Sequence, residues 1–140
     1  FTERPIGVFG AKWDPWARPG LERFCTWGMK HIKVWTADAA SGRWASSSMS
    51  FGEFGVDNVL ACEYLRPSPG PGGDTPAGAI VTGMPDGTLL VWRNGKAVRR
   101  IQAHGKGPRT IQADGTVAWG GGVRALRLRK DGLTLLSGGA

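Results

Sequence analysis

The segment Thr88-Leu-Leu-Val-Trp-Arg93 follows a tight-turn signal, Pro85-Asp-Gly87, and an altered copy of it, His31-Ile-Lys-Val-Trp-Thr36, stands 57 residues earlier. A short apolar, β-branched run bounded by turn formers reads as a strand. Its return in altered form means that the chain is assembled from repeats.

Working outward, each Trp-ending strand falls third in a group of four. Ile6-Gly-Val-Phe-Gly-Ala-Lys-Trp13, Arg23-Phe-Cys-Thr-Trp27, His31 to Trp35 and Trp44 to Phe51 make one group. Val56 to Leu65, Gly78-Ala-Ile-Val-Thr82, Thr88 to Trp92 and Ala97-Val-Arg-Arg-Ile101 make the next. Val123-Arg-Ala-Leu-Arg-Leu128 opens a third, which turns at Lys130-Asp-Gly132 and enters a second strand at Leu133 to Ser137. Composition agrees. Hydrophobic residues make up 41% of the chain with seven Trp, too apolar for disorder, and 23 Gly with nine Pro among 140 residues mark dense turns.

Four strands per repeat with Trp closing the third is the pattern of a WD40 β-propeller blade. The predicted fold is all-β: a partial WD40-type β-propeller with blades over 1–51 and 52–104 and the start of another over 123–140. Blades of roughly 40–45 residues cannot close a ring in this length, and the chain opens on Phe1. It therefore reads as a fragment of a longer polypeptide.

Two segments interrupt the repeat. Within 66–77, Arg66-Pro-Ser-Pro-Gly-Pro-Gly-Gly-Asp-Thr-Pro76 predicts an extended or disordered surface loop. The stretch 105–122 is an insertion with a small apolar patch at Thr116-Val-Ala-Trp119. It is either a loop on a binding face or a tolerated excursion. Cys25 and Cys62 lie in apolar runs with no zinc-ligand spacing and read as buried free thiols of the core.

The motif order carries a resemblance. Phe24-Cys-Thr-Trp-Gly-Met-Lys-His-Ile-Lys-Val-Trp-Thr36, Gly83-Met-Pro-Asp-Gly-Thr-Leu-Leu-Val-Trp92, Arg100-Ile-Gln-Ala-His104 and Leu128-Arg-Lys-Asp-Gly-Leu-Thr-Leu-Leu-Ser-Gly-Gly139 together resemble the propellers of the echinoderm microtubule-associated protein-like family. The resemblance implies a structural staple within blades. Its matching positions are Thr82, Asp86 and Trp92 in the middle blade and His104 with Ser137 in the next. The first blade has Met29 where Asp86 would stand, so there the staple is expected to be missing.

Charge is uneven. Residues 1–92 hold eight basic and nine acidic side chains, whereas 93–140 hold ten basic ones against Asp114 and Asp131, so all of the net +7 arises C-terminally. A partner-binding surface is expected at Arg99, Arg100, Arg124, Arg127, Arg129 and Lys130, since such a field attracts an acidic partner. The resemblance selects tubulin or microtubule-associated proteins, in the cytoplasm and cytoskeleton or in a ciliary axoneme. The alternative is an interaction platform in another assembly, such as one containing RNA. Against nucleic acid, the cations lack interleaved aromatics for stacking bases. Against a membrane, there is no basic amphipathic helix. No phosphate-binding loop, dinucleotide fingerprint, nucleophile elbow or His-Glu-x-x-His motif is present, and neither His31 nor any other His has metal-site company. The expectation is a non-enzyme without cofactor or metal.

Overall fold

The computed structural model describes residues 7–38, 40–68, 75–105, 109–111, 113, 117–119, 122–130 and 135–139. Ile6, Asp114, Thr116, Asp131 to Thr134 and the glycines at 70–73, all named above, lie outside the described residues. The chain is all-β. β1 (Val8–Trp13), β2 (Leu21–Gly28), β3 (His31–Asp38) and β4 (Trp44–Ser48) form one antiparallel sheet in chain order. β5 (Ala61–Tyr64), β6 (Ile80–Gly83), β7 (Thr88–Arg93) and β8 (Lys96–Gln102) form a second with the same order. β9 (Arg109–Ile111) pairs with β10 (Val117–Trp119), and β11 (Val123–Leu128) with β12 (Leu135–Gly139).

Local chemistry explains the meanders. Asn94 (φ 52°) and Gly95 (φ 79°) close β7 on β8 between the paired Arg93 and Lys96, the residue pair that a two-residue hairpin with left-handed central positions selects. At the Pro85-Asp86-Gly87 turn, the Asp86 carboxylate accepts from the Thr88 amide at 3.1 Å and from its hydroxyl at 2.5 Å. Gly87 (φ 83°) offers its carbonyl to the amides of Ala103 and His104, at 3.2 and 2.9 Å. A side chain on Gly87 would collide with the His104 carbonyl oxygen.

Several elements differ from the sequence expectation, each for a visible reason. The run from Val56 is a strand only from Ala61, because Val59 and Leu60 donate to Gly28 and Gly83 of two different sheets, at 2.9 Å each, while Val56 is exposed. The fourth strand ends at Ser48. Met49 and Phe51 then turn into the core, and Gly52–Phe54 is a 3-10 turn. The insertion 105–122 holds the β9–β10 hairpin, a strand pair where only a loop was expected. The Pro/Gly segment is closed at its base by Ser68 and Thr75, whose amides and carbonyls exchange bonds of 3.0 and 2.8 Å.

Cross-strand partners share a sheet face, so register assigns the packing. Cys25, Ile32 and Val34 of the first sheet, with Met49 and Phe51, pack on Cys62, Tyr64, Ile80, Leu90 and Trp92 of the second. Val81 and Leu89, on its other face, pack on Val123, Leu126 and Leu135. The first strands β1, β5 and β11 lie side by side. Between them the nearly fully buried Glu63 binds Lys12 Nζ at 2.6 Å through Oε1 and accepts the Leu128 amide at 3.1 Å through Oε2.

Gly87 and Gly95 have nearly the same φ, but nothing lies within 4 Å of a side chain placed on Gly95. Gly95→Ala is expected to cost about 1 kcal/mol, the penalty of a left-handed L-residue. Gly87→Ala should cost at least about 1 kcal/mol more in urea titration, because the His104 backbone must move as well. Equal costs would break the link between the turn and the 103–104 segment.

Candidate functional site

Three groups of residues have the chemistry to matter: the staple positions, the C-terminal cations, and an aromatic face that the sequence reading did not single out. The staple positions come first, since they decide what is structural. Trp92 Nε1 donates to Thr82 Oγ1 at 2.9 Å, both residues fully buried. The Thr82 hydroxyl lies 3.4 Å from Met84 Sδ. Asp86 sits in the preceding turn with Thr88 as its partner. His104 Nε2 and Ser137 Oγ are 2.9 Å apart and join the exit of the second sheet to β12. A buried indole N–H and hydroxyl each need a partner, and here each supplies the other's.

In the first sheet, where Met29 replaces the aspartate, Trp35 Nε1 nonetheless reaches Thr26 Oγ1 at 3.4 Å. Trp35 pairs with Phe24 and Trp92 with Ile80, so the threonine stands two residues further along the neighbouring strand in both sheets. The first sheet thus holds a longer, partly exposed version of the same contact. Thr26 nine residues before Trp35 and Thr82 ten before Trp92 was the available signal.

The six expected partner-binding cations do not form one strip. Arg99 and Arg100 lie on β8, the outer strand of the second sheet; Arg124 and Arg127 lie on β11, which packs against β5 and β6 at its other side. Three strand spacings separate β5 from β8, roughly 14 Å. Alternation divides the first pair again. Arg99 pairs with Val91, on the face of Glu63, while Arg100 pairs with Leu90 on the opposite face and lies over the Phe54 ring at 5.9 Å. Arg127 and Arg129 are exposed, and Leu126 and Leu128 on the alternate face are partly buried, Leu126 against the second sheet; Lys130 is also exposed. The ion pairs among the described residues, Lys12–Glu63 and Arg23–Asp14 at 2.9 Å, leave Arg99, Arg124 and Arg127 outside them.

The aromatic face covers the free side of the first sheet. Trp13, Phe24 and Trp35 are register partners across β1, β2 and β3. Phe24 stacks on Trp35 at 5.9 Å and meets Trp13 and Trp44 edge-on at 5.1 and 5.3 Å, while Lys33 Nζ stands 5.5 Å from the Trp35 ring. The same register positions in the second sheet are Tyr64, Ile80 and Trp92, all fully buried against the first sheet, whereas Trp13 is 61% and Trp44 45% exposed. One face of a repeat is covered and its counterpart is open. Aromatic residues at 13, 24 and 35, one per strand-and-turn step, were the signal for it.

No group of three or more His, Cys, Asp or Glu able to hold a metal ion is found among the described residues. A shallow hollow of 410 Å³ beside β3 is lined by Lys30, His31, Ser50 and Phe51, without a carboxylate or thiol to pair with the histidine. No protein-family model matches this chain, and no curated protein does either.

Two contrasts test this assignment. Thr82→Val, which leaves the Trp92 N–H buried without a partner, should cost about 1–3 kcal/mol, and Thr26→Val well under about 1 kcal/mol, since its contact is long and partly wet. Trp92→Ala should cost about 3–5 kcal/mol as a core truncation, whereas Trp13→Ala should stay within about 0.5–1 kcal/mol of the parent chain. Thermal melts of the four variants decide both.

Proposed function

We propose that this chain is part of a WD40-type β-propeller and acts as a non-catalytic scaffold that binds microtubules, through tubulin or microtubule-associated proteins, in the cytoplasmic cytoskeleton or a ciliary axoneme. Consecutive four-stranded meanders with their first strands side by side support the propeller reading. So does the open aromatic face, which repeats a face that the second sheet buries against its neighbour; another blade is the natural cover for it.

The observation that carries the functional reading is the electrostatic imbalance. Glu63 and Asp14 are buried in ion pairs of their own, while Arg99, Arg100, Arg124 and Arg127 are exposed on β8 and β11. Exposed cations unmatched by acids attract an acidic surface and speed its capture in a salt-dependent way. The motif resemblance to the echinoderm microtubule-associated protein-like family makes tubulin that surface. For RNA, the well-exposed rings among the described residues, Phe9, Trp13 and Trp44, sit on the first sheet, away from β11 and β8. The absence of a catalytic motif and the structural company kept by His104 and Asp86 favour binding over catalysis.

The two cation groups are separable by mutation. Arg99→Glu with Arg100→Glu, and separately Arg124→Glu with Arg127→Glu, should each leave the melting temperature within a few degrees of the parent. The group that faces the partner should lower microtubule co-sedimentation at low salt by tenfold or more, with an effect that shrinks as salt screens it. Undiminished binding by both folded variants, or binding that RNA abolishes and microtubules do not affect, would overturn the proposal.

A further inference from the structure

Cys25 lies at the centre of β2, paired with Lys12 and Val34, and Cys62 in β5, paired with Thr82. Thirty-seven residues and two different sheets separate them, yet their sulfurs are 3.4 Å apart in the apolar layer between the sheets, both free and both buried. The Lys12–Glu63 ion pair runs alongside, since Lys12 is the register partner of Cys25 and Glu63 follows Cys62 in the chain. It holds β1 and β5 together on either side of the thiols. Closing the gap to a disulfide bond of about 2.05 Å takes little more than an ångström of approach.

We propose that Cys25 and Cys62 are an oxidisable dithiol, a modification site at which a hydroperoxide converts the contact between the first and second sheets into a covalent bond. The proposal stands apart from microtubule binding and uses none of its evidence.

The two sulfurs are chemically unequal. The hydrogen bond with Cys62 holds Cys25 below the usual thiol range, while burial pushes Cys62 well above that range. Cys25 is therefore the nucleophile and Cys62 the resolving group. The Cys25 thiolate attacks one oxygen of the hydroperoxide; the O–O bond breaks, an alcohol or water leaves with a proton, and Cys25 becomes a sulfenic acid. Cys62 sulfur then displaces hydroxide from Cys25, its own proton completing a water. In sum, two thiols and one hydroperoxide give one disulfide, one alcohol or water, and one further water, with two electrons passing from sulfur to oxygen. Because both sulfurs are shielded, a small oxidant is required, and bulky disulfides are excluded from the folded chain.

The test treats the folded 140-residue chain with hydrogen peroxide, then removes the oxidant, unfolds the protein in an alkylating reagent and weighs it. The expected product has lost two hydrogens, carries no alkyl group, remains monomeric, and recovers two alkylatable thiols with dithiothreitol. After a brief exposure to peroxide and then unfolding in dimedone, Cys62→Ser should carry at least tenfold more label at Cys25 than Cys25→Ser carries at Cys62. Two alkylated thiols after oxidation, a disulfide between chains, or a disulfide that forms only in urea would each overturn the proposal, and these readings on the parent chain do not depend on how well the variants fold.

Discussion

A carboxylate taken out of water must find compensation on every side, and Glu63 finds it in three sheets at once. Its own strand belongs to the second sheet, one oxygen pairs with Lys12 of the first, and the other accepts an amide from β11 of the third. Burying an ion pair costs desolvation that only good geometry and further hydrogen bonds offset. The net contribution to stability is thus small beside that of the apolar layers. What it supplies is position: any slip of one first strand past another leaves the charge unpaired. Lys12, Glu63 and Arg127 occupy the same register position in their strands. The charge alternates along that row, and the row ends on an arginine with no acidic neighbour across it among the described residues.

The apolar layers are arranged around this row. Each four-stranded sheet is apolar on both faces, so none is stable as a free-standing layer. The second sheet is covered twice, by the first sheet and by the β11–β12 pair, and it contains most of the fully buried side chains, Trp92, Tyr64, Ile80 and Val81 among them. The first sheet is covered once and shows its aromatic side to solvent. A contiguous exposed apolar face is normally a contact surface. The cations lie toward the opposite end of the stack and on the outer strand, so the molecule separates an apolar surface suited to another sheet from a charged one suited to an acidic partner.

Much of the fold could be read in the sequence because its signals are local. Turn formers at Pro85-Asp86-Gly87 and the strands ending in Trp35 and Trp92 fix the period, and β7 and β11 lie within a residue or so of where the pattern puts them. Met49 and Phe51 leave the ladder because the demand comes from the core of the next sheet, which no local pattern contains. The hairpin of β9 and β10 was hidden by its Gly-rich surroundings and by strands of only three residues. The candidate sites were legible unevenly for the same reason. Thr82 and Trp92 meet across neighbouring strands of one sheet, and motif order finds them. Cys25 and Cys62, or Lys12 and Glu63, meet across two sheets, where residue spacing says nothing. Charge counting located the basic C-terminal third of the chain but could not see that alternation and sheet order send its arginines to different faces.

The small parallel bridge at Ser50 bears on the outermost strand. Ser50 donates to Gly95 and accepts from Ala97, at 2.9 Å each, so the chain leaving the first sheet covers the beginning of β8. From Val98 onward no strand of the described residues pairs with the outer side of β8, and there stand Arg99 and Arg100. A bare strand edge invites another chain to add to it, and charged side chains along the edge are a common deterrent. The two arginines therefore have a use that requires no ligand: they keep an unguarded edge from recruiting copies of itself, and a cell that neutralised them would risk aggregation before it lost any binding.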